Sequence, residues 1–185
     1  MPLPTLADVK TYLNIRSTTN DAELQSFLDD AIAAVEDVIG PITPVSVTDV
    51  YDRHGTVIVL SQTPVQSVQS VSVQPWLGAA PIDDTAAWLV NPRTGVLRRQ
   101  IVGGTLPWVG PGSVFTVTYT VGRDSVPGPV NRAILIQVRD MWRSQRGAMP
   151  TPAADQPQEY GAFGGFLSPA VMELLARYLP PPGVA

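Results

Sequence analysis

Residues 20–40 read NDAELQSFLDDAIAAVEDVIG, from Asn20 to Gly40. The spacing predicts a helix with both ends marked. Asn20 stands in the N-cap position, Glu23 three residues later completes a capping-box pattern, and Gly40-Pro41 stops the run. Leu24, Phe27, Leu28, Ala31, Ile32, Val35, Val38 and Ile39 recur at helical spacing and form one apolar side. Asp29, Asp30, Glu36 and Asp37 fall on the other side, and no Lys or Arg lies in the stretch. The stretch therefore reads as an amphipathic helix whose outer face is purely acidic.

N-terminal to it, Pro4-Thr5-Leu6 predicts a first short helix, with Thr5 as cap, Asp8 in the first turn, and Leu6, Val9 and Leu13 on one face. The close link through Arg16–Thr19 makes the two a helical pair. C-terminal to it the apolar period changes from 3.6 to 2. Ser46–Tyr51, Asp52-Arg53-His54-Gly55 and Thr56–Leu60 read as strand, turn and return strand. Val65–Val73, Trp88–Val90, Val96–Arg99 and Ser113–Val121 follow as short strands, and Gly78–Ala87 reads as a loop. Half a dozen strands with short connections make an antiparallel β lobe.

Helical periodicity returns at VNRAILIQVRDMWRSQR, Val130–Arg146. Val130, Ala133, Ile134, Val138 and Met141 face a core, while Leu135, Ile136 and Trp142 flank it and need cover, from another subunit if not from this chain. Arg132, Arg139, Arg143 and Arg146 lie within about 60° of each other on the far side. Like charges one turn apart call for an anion. Asp140 or the acidic helix of the same chain, the acidic helix of a neighbour (Asp29, Asp30, Glu36, Asp37) and nucleic-acid phosphates all fit. Ala148–Gly165 reads as a flexible Pro/Gly/Ala-rich linker. Ser168-Pro169 then opens a last amphipathic helix, at about 168–179, with Val171, Leu174, Leu175, Tyr178 and Leu179 as its stripe. That stripe either folds back on its own domain or docks on another chain.

The expected fold is α+β. A connector domain spans 1–147, with helices at about 5–15, 20–40 and 129–146 and the β lobe at about 45–122. Residues 148–185 form the linker and the docking helix. With 185 residues and 44% hydrophobic content a sizeable core is within reach. Cysteine is absent, which removes disulfides and thiolate chemistry. A net charge of −4 advertises no nucleic-acid surface overall. The N-terminal residues lack the basic and apolar regions of a signal peptide, and no apolar run approaches a membrane span. His54, the sole histidine, lies in a predicted turn. Asp29-Asp30 and Asp83-Asp84 read as surface charge, Gly103-Gly104 and Gly110-Pro111-Gly112 open no helix, and no nucleophile elbow is present. No catalytic residue, metal ligand or cofactor is expected.

The series TLADVKTYLNI, the acidic helix, VYDRHGTVIVLSQTPVQSVQSV, NPRTGVLRR, VTYTVGRDSVPGPVNRAILIQVRDMWRSQRG and LSPAVMELLARYLPPPGVA resembles the head–tail connector (head-completion or adaptor) family of tailed bacteriophages, in particular those of actinobacterial phages. The resemblance implies a non-enzymatic virion protein of the neck, made in the host cytoplasm. It implies a dodecameric ring of copies below the portal that extends the DNA channel, lets DNA pass non-specifically, and offers a platform to the next neck or tail protein, a stopper or tail terminator. Arg132, Arg139, Arg143 and Arg146 would then be intersubunit, Asp29, Asp30, Glu36 and Asp37 lumen-facing or intersubunit, and Val171, Leu174, Leu175 and Tyr178 portal-docking. The minimal members are all-helical, so the β lobe carries no role over from them. The alternative is a monomeric or dimeric ligand- or protein-binding module that uses that lobe.

Overall fold

The computed structural model describes residues 1–52, 56–75, 80–84, 87–101, 104–106, 113–146 and 167–180. His54, Trp108, Gly103, Gly110-Pro111-Gly112 and the Ala148–Gly165 linker lie outside the described residues. The chain forms two units, a helical one from Met1–Ile39 and Ser125–Leu179 and a β unit from Gly40–Asp124.

In the helical unit, α1 (Leu6–Leu13) opens on a true capping box. The Thr5 hydroxyl accepts from the Asp8 N–H at 3.3 Å, and the Asp8 carboxylate accepts from the Thr5 N–H at 2.8 Å. α2 (Asp21–Ile39) starts without that device. The Glu23 carboxylate accepts from Arg146 at 3.2 Å instead. Leu24, Leu28, Ala31, Val35 and Ile39 are buried at the i, i+4, i+7 spacing. The four larger ones contribute about 1.5–3 kcal/mol each. α3 (Gly128–Gln145) enters through Pro127-Gly128-Pro129, where the missing proline N–H costs nothing. It buries Val130, Ala133, Ile134, Gln137 and Val138. α4 (Pro169–Leu175), extended by a 3₁₀ turn at Ala176–Tyr178, packs along α3 and fully buries Val171 and Leu175. The Ser168 N–H donates to the buried Gln137 side chain at 3.4 Å, which fixes where α4 begins on α3.

The β unit holds β1 (Val45–Tyr51), β2 (Val57–Val59), β3 (Val65–Gln74), β4 (Ile82–Asp83), β5 (Ala87–Val90), β6 (Val96–Ile101), β7 (Gly104–Leu106) and β8 (Val114–Val121). They form two antiparallel sheets, β1-β8-β3-β4 and β2-β6-β5, with β7 added to β6. β8 lies between β1 and β3, and its alternation is complete. Phe115, Val117, Tyr119 and Val121 are buried, while Val114, Thr116, Thr118 and Thr120 face outward. Ile58 and Leu97 of the second sheet join them in one core.

Two sequence expectations change here. β1 and β2 do not form a hairpin: β1 pairs with β8 from Val45↔Val121 to Tyr51↔Phe115, and β2 pairs with β6. Seven paired positions on a fully alternating strand outweigh the three that β2 offers, and Ile58 finds its buried partner in Leu97. The 78–87 stretch is not all loop, since β4 lies in it and pairs Asp83 with Ser72. Gly40 and Gly122 close the two ends of the unit. Both have positive φ (+76° and +108°), and a Cβ would lie 2.0 and 2.1 Å from the carbonyl oxygens of Thr63 and Thr43.

Candidate functional site

The acidic face of α2 is as the sequence draws it. Asp29, Asp30 and Asp37 are exposed and Glu36 is half-buried. Asp29 accepts from Gln25 at 2.8 Å, one turn away. Asp30 and Asp37 have no polar partner among the described residues. No basic side chain of the helix dilutes this charge.

The arginines of α3 are mostly committed within the chain. Arg139 grips Asp140 through Nε and Nη2 at 2.9 and 2.7 Å, which raises its already high pKa further. Arg132 lies 4.8 Å from the centroid of the Tyr12 ring of α1. Arg146 stacks 3.6 Å over Trp142 and reaches Glu23 of α2 at 3.2 Å. Trp142 in turn meets Phe27 of α2 edge-on at 6.4 Å. The apolar flank of α3, which needs cover, thus receives part of it from α2 of the same chain. Arg143 is exposed and has neither a polar nor an aromatic partner among the described residues, whereas the likewise exposed Arg132 keeps only its Tyr12 ring. Cation–π contacts of this kind are worth about 0.5–1 kcal/mol at exposed sites, so the stripe is held, weakly, by its own chain.

The terminal helix divides its stripe between two tasks. Val171 and Leu175 are fully buried against α3, whereas Leu174 and Tyr178 are half-buried. Leu174 and Tyr178 line an open groove of about 500 Å³ with Pro129, Ile136, Ala170, Glu173 and Arg177. Met172 and Leu179 are exposed beside them in sequence. Of the four residues expected to dock, two therefore build the fold and two line the groove.

The β unit contains two polar hubs that the sequence does not announce. One oxygen of Asp49 accepts from Tyr51 at 2.8 Å, from the Ser61 hydroxyl and Tyr119 at 2.5 Å each, and from the Ser61 N–H at 3.3 Å. Burial works against the Asp49 charge, but the hydroxyls of Ser61, Tyr119 and Tyr51 together outweigh it and hold the carboxyl below its usual range. Burial first, then the bond to Asp49, pushes both tyrosine hydroxyls above theirs. The hub ties the segment before β3 to β1 and β8. Donors from three segments converge on one carboxylate oxygen, which cross-links them. Asp84, which reads as surface charge in the sequence, is buried with a side chain 3% exposed. It accepts from Arg99 at 2.8 Å and from the Trp88 indole at 3.3 Å. Only Asp83 of that pair is exposed. A buried acid is invisible in one dimension because its partner, Arg99, comes from another strand.

Among the described residues no group of His, Asp or Glu is placed to hold a metal ion. No described helix is long and apolar enough to cross a membrane.

A profile of the Head completion protein family matches residues 2–146. No curated protein matches the sequence. Among solved structures the fold is similar to a chain in the neck of an empty gene transfer agent (GTA) particle computed with C6 symmetry. The TM-score is 0.67 at 18% identity, over 98% of this chain and 92% of that one. It is also similar to a chain in the neck of the native GTA particle computed with C12 symmetry, with TM-score 0.62 at 19% identity, over 100% and 95%.

Proposed function

The chain belongs to the head completion protein family, and from that premise we propose that it is a structural, non-catalytic subunit of a virion neck, assembled as a ring of copies between head and tail. The ring sits below the portal, extends the DNA channel, and gives the next neck or tail protein, a stopper or tail terminator, its platform. The observation that carries this reading is the likeness of the whole chain, both units included, to chains of a phage-like neck. The C12 symmetry of one such neck supports a ring of twelve.

The surfaces are consistent with that role. A ring closes only if each subunit carries two different complementary patches. The acidic face of α2 supplies one of them or, if turned inward, a channel wall that repels DNA phosphates and lets the genome slide. On α3, Arg143 is left for a neighbour after Arg132, Arg139 and Arg146 find partners in their own chain. For the portal, Leu174 and Tyr178 of the groove are the docking residues, with Val171 and Leu175 holding α4 in position behind them. The test is a mass measurement on purified protein, alone and mixed with its portal. A ring-sized complex on the portal is expected. A protein that stays monomeric and ignores the portal at high concentration overturns the reading.

A further inference from the structure

The outer face of the β2-β6-β5 sheet is more apolar than a solvated face requires. Alternation sends Ile58, Leu97 and Val90 inward and leaves Val57, Val59, Val96 and Leu89 on the outer side, Val57 and Val96 half-buried, with Ala87 and the polar Gln100 at one end of the same face. Val59 is 40% and Leu89 51% exposed. Arg98 stands in the middle, directly between Val57 on one side and Leu89 on the other. It is exposed and has no polar partner among the described residues. A lone arginine set among aliphatic side chains is the composition of a protein-contact centre, where arginine is enriched and other charges are scarce. It is a poor phosphate surface, which would need several cations.

The complement to this face lies on the chain itself. Along α2, the exposed residues Ala22, Ser26, Asp30, Ala33 and Asp37 fall within about 80° of one another. Small side chains let a sheet approach the helix closely, and Asp30 and Asp37 stand among them without polar partners among the described residues. One surface is aliphatic around a single cation; the other is small and acidic. We propose that these two faces are the two halves of the head-to-tail contact, the sheet face of one copy receiving the α2 face of the next, with Arg98 between Asp30 and Asp37. This rests on the ring reading and assigns the acidic helix to the neighbour rather than to the channel. A heterologous pair of this kind is what a closed ring needs.

Arg98→Glu and the double variant Asp30→Arg/Asp37→Arg test it, with assembly followed by mass measurement and electron microscopy, alone and on the portal. All three positions are exposed, so thermal melts like the wild type's are expected. Each variant alone should lose the ring. An equimolar mixture should regain it, because alternating subunits present one reversed and one native contact in turn. A second measurement uses the absence of cysteine: Ala33→Cys with Val96→Cys should give a ladder of disulfide-linked multimers upon oxidation. Variants that assemble like wild type, a mixture that stays apart, or multimers without cross-links would overturn the contact while the ring stands. A wild-type protein that never forms a ring would overturn both.

Discussion

Leu174 and Leu175 are neighbours in sequence, yet one lines the groove and the other is fully buried, so alanine at each position should have separable effects. Leu175 packs against α3 with no exposure, and its truncation removes three carbons from a site that α3 and α4 build jointly. The expected cost is about 2–5 kcal/mol, the transfer loss plus the cavity left behind. For a chain of this size that lowers the melting temperature by about 4–20 °C. Leu174→Ala should cost less than about 1 kcal/mol, since its side chain is already in contact with water, yet it should weaken attachment to the portal. Thermal unfolding followed by circular dichroism reads the first effect, and co-sedimentation with portal the second. A Leu175→Ala loss below about 1 kcal/mol would mean that α4 is not part of the folded core. Removal of residues 166–185 should likewise lower the melting temperature, because it strips the cover from α3 as well as the docking residues.

Further expectations concern the hubs and turns. Asp49 has a depressed carboxyl pKa, so its contribution is present above the ordinary value of 3.8 and lost as pH falls through its lower folded value. Asp49→Asn should flatten that acid loss in a pH series of urea midpoints, and an unchanged series would remove the hub from the account. Tyr119→Phe takes one donor from the same oxygen and should cost about 1–2 kcal/mol at neutral pH by chemical denaturation. Gly122→Ala places a Cβ 2.1 Å from the Thr43 carbonyl at φ +108°, so a loss above about 1–3 kcal/mol is expected; a neutral result would refute the turn geometry. Arg146→Ala removes one exposed ion pair and its stacking on Trp142, and its cost should stay near 1 kcal/mol.

How far the sequence could be read depended on whether a feature is carried by one segment or by several. The α2 helix and the β8 strand each display their full period within a single stretch, and Leu24 to Ile39 and Phe115 to Val121 bury as that period requires. Strand pairing is not carried that way. Nothing in Ser46–Tyr51 states that its partner lies some seventy residues on, and the turn chemistry at Asp52–Gly55 suggested the wrong one. Polar partners have the same property. Glu23 stands at a capping-box spacing yet turns to Arg146, and Asp84 looks like surface until Arg99 arrives from another strand. The Arg98 face was hidden for a related reason. In Val96–Ile101 arginines occupy both faces of the strand, so alternation alone does not distinguish the one that meets Asp84 from the one left in the open.

The claim that this chain is a ring-forming neck subunit is tested most directly by an electron-microscopic reconstruction of the head–tail junction of the particle that carries it. A ring of copies of this fold directly below the portal is expected. A junction that lacks the chain, or holds it as isolated copies out of contact with each other and with the portal, would contradict it.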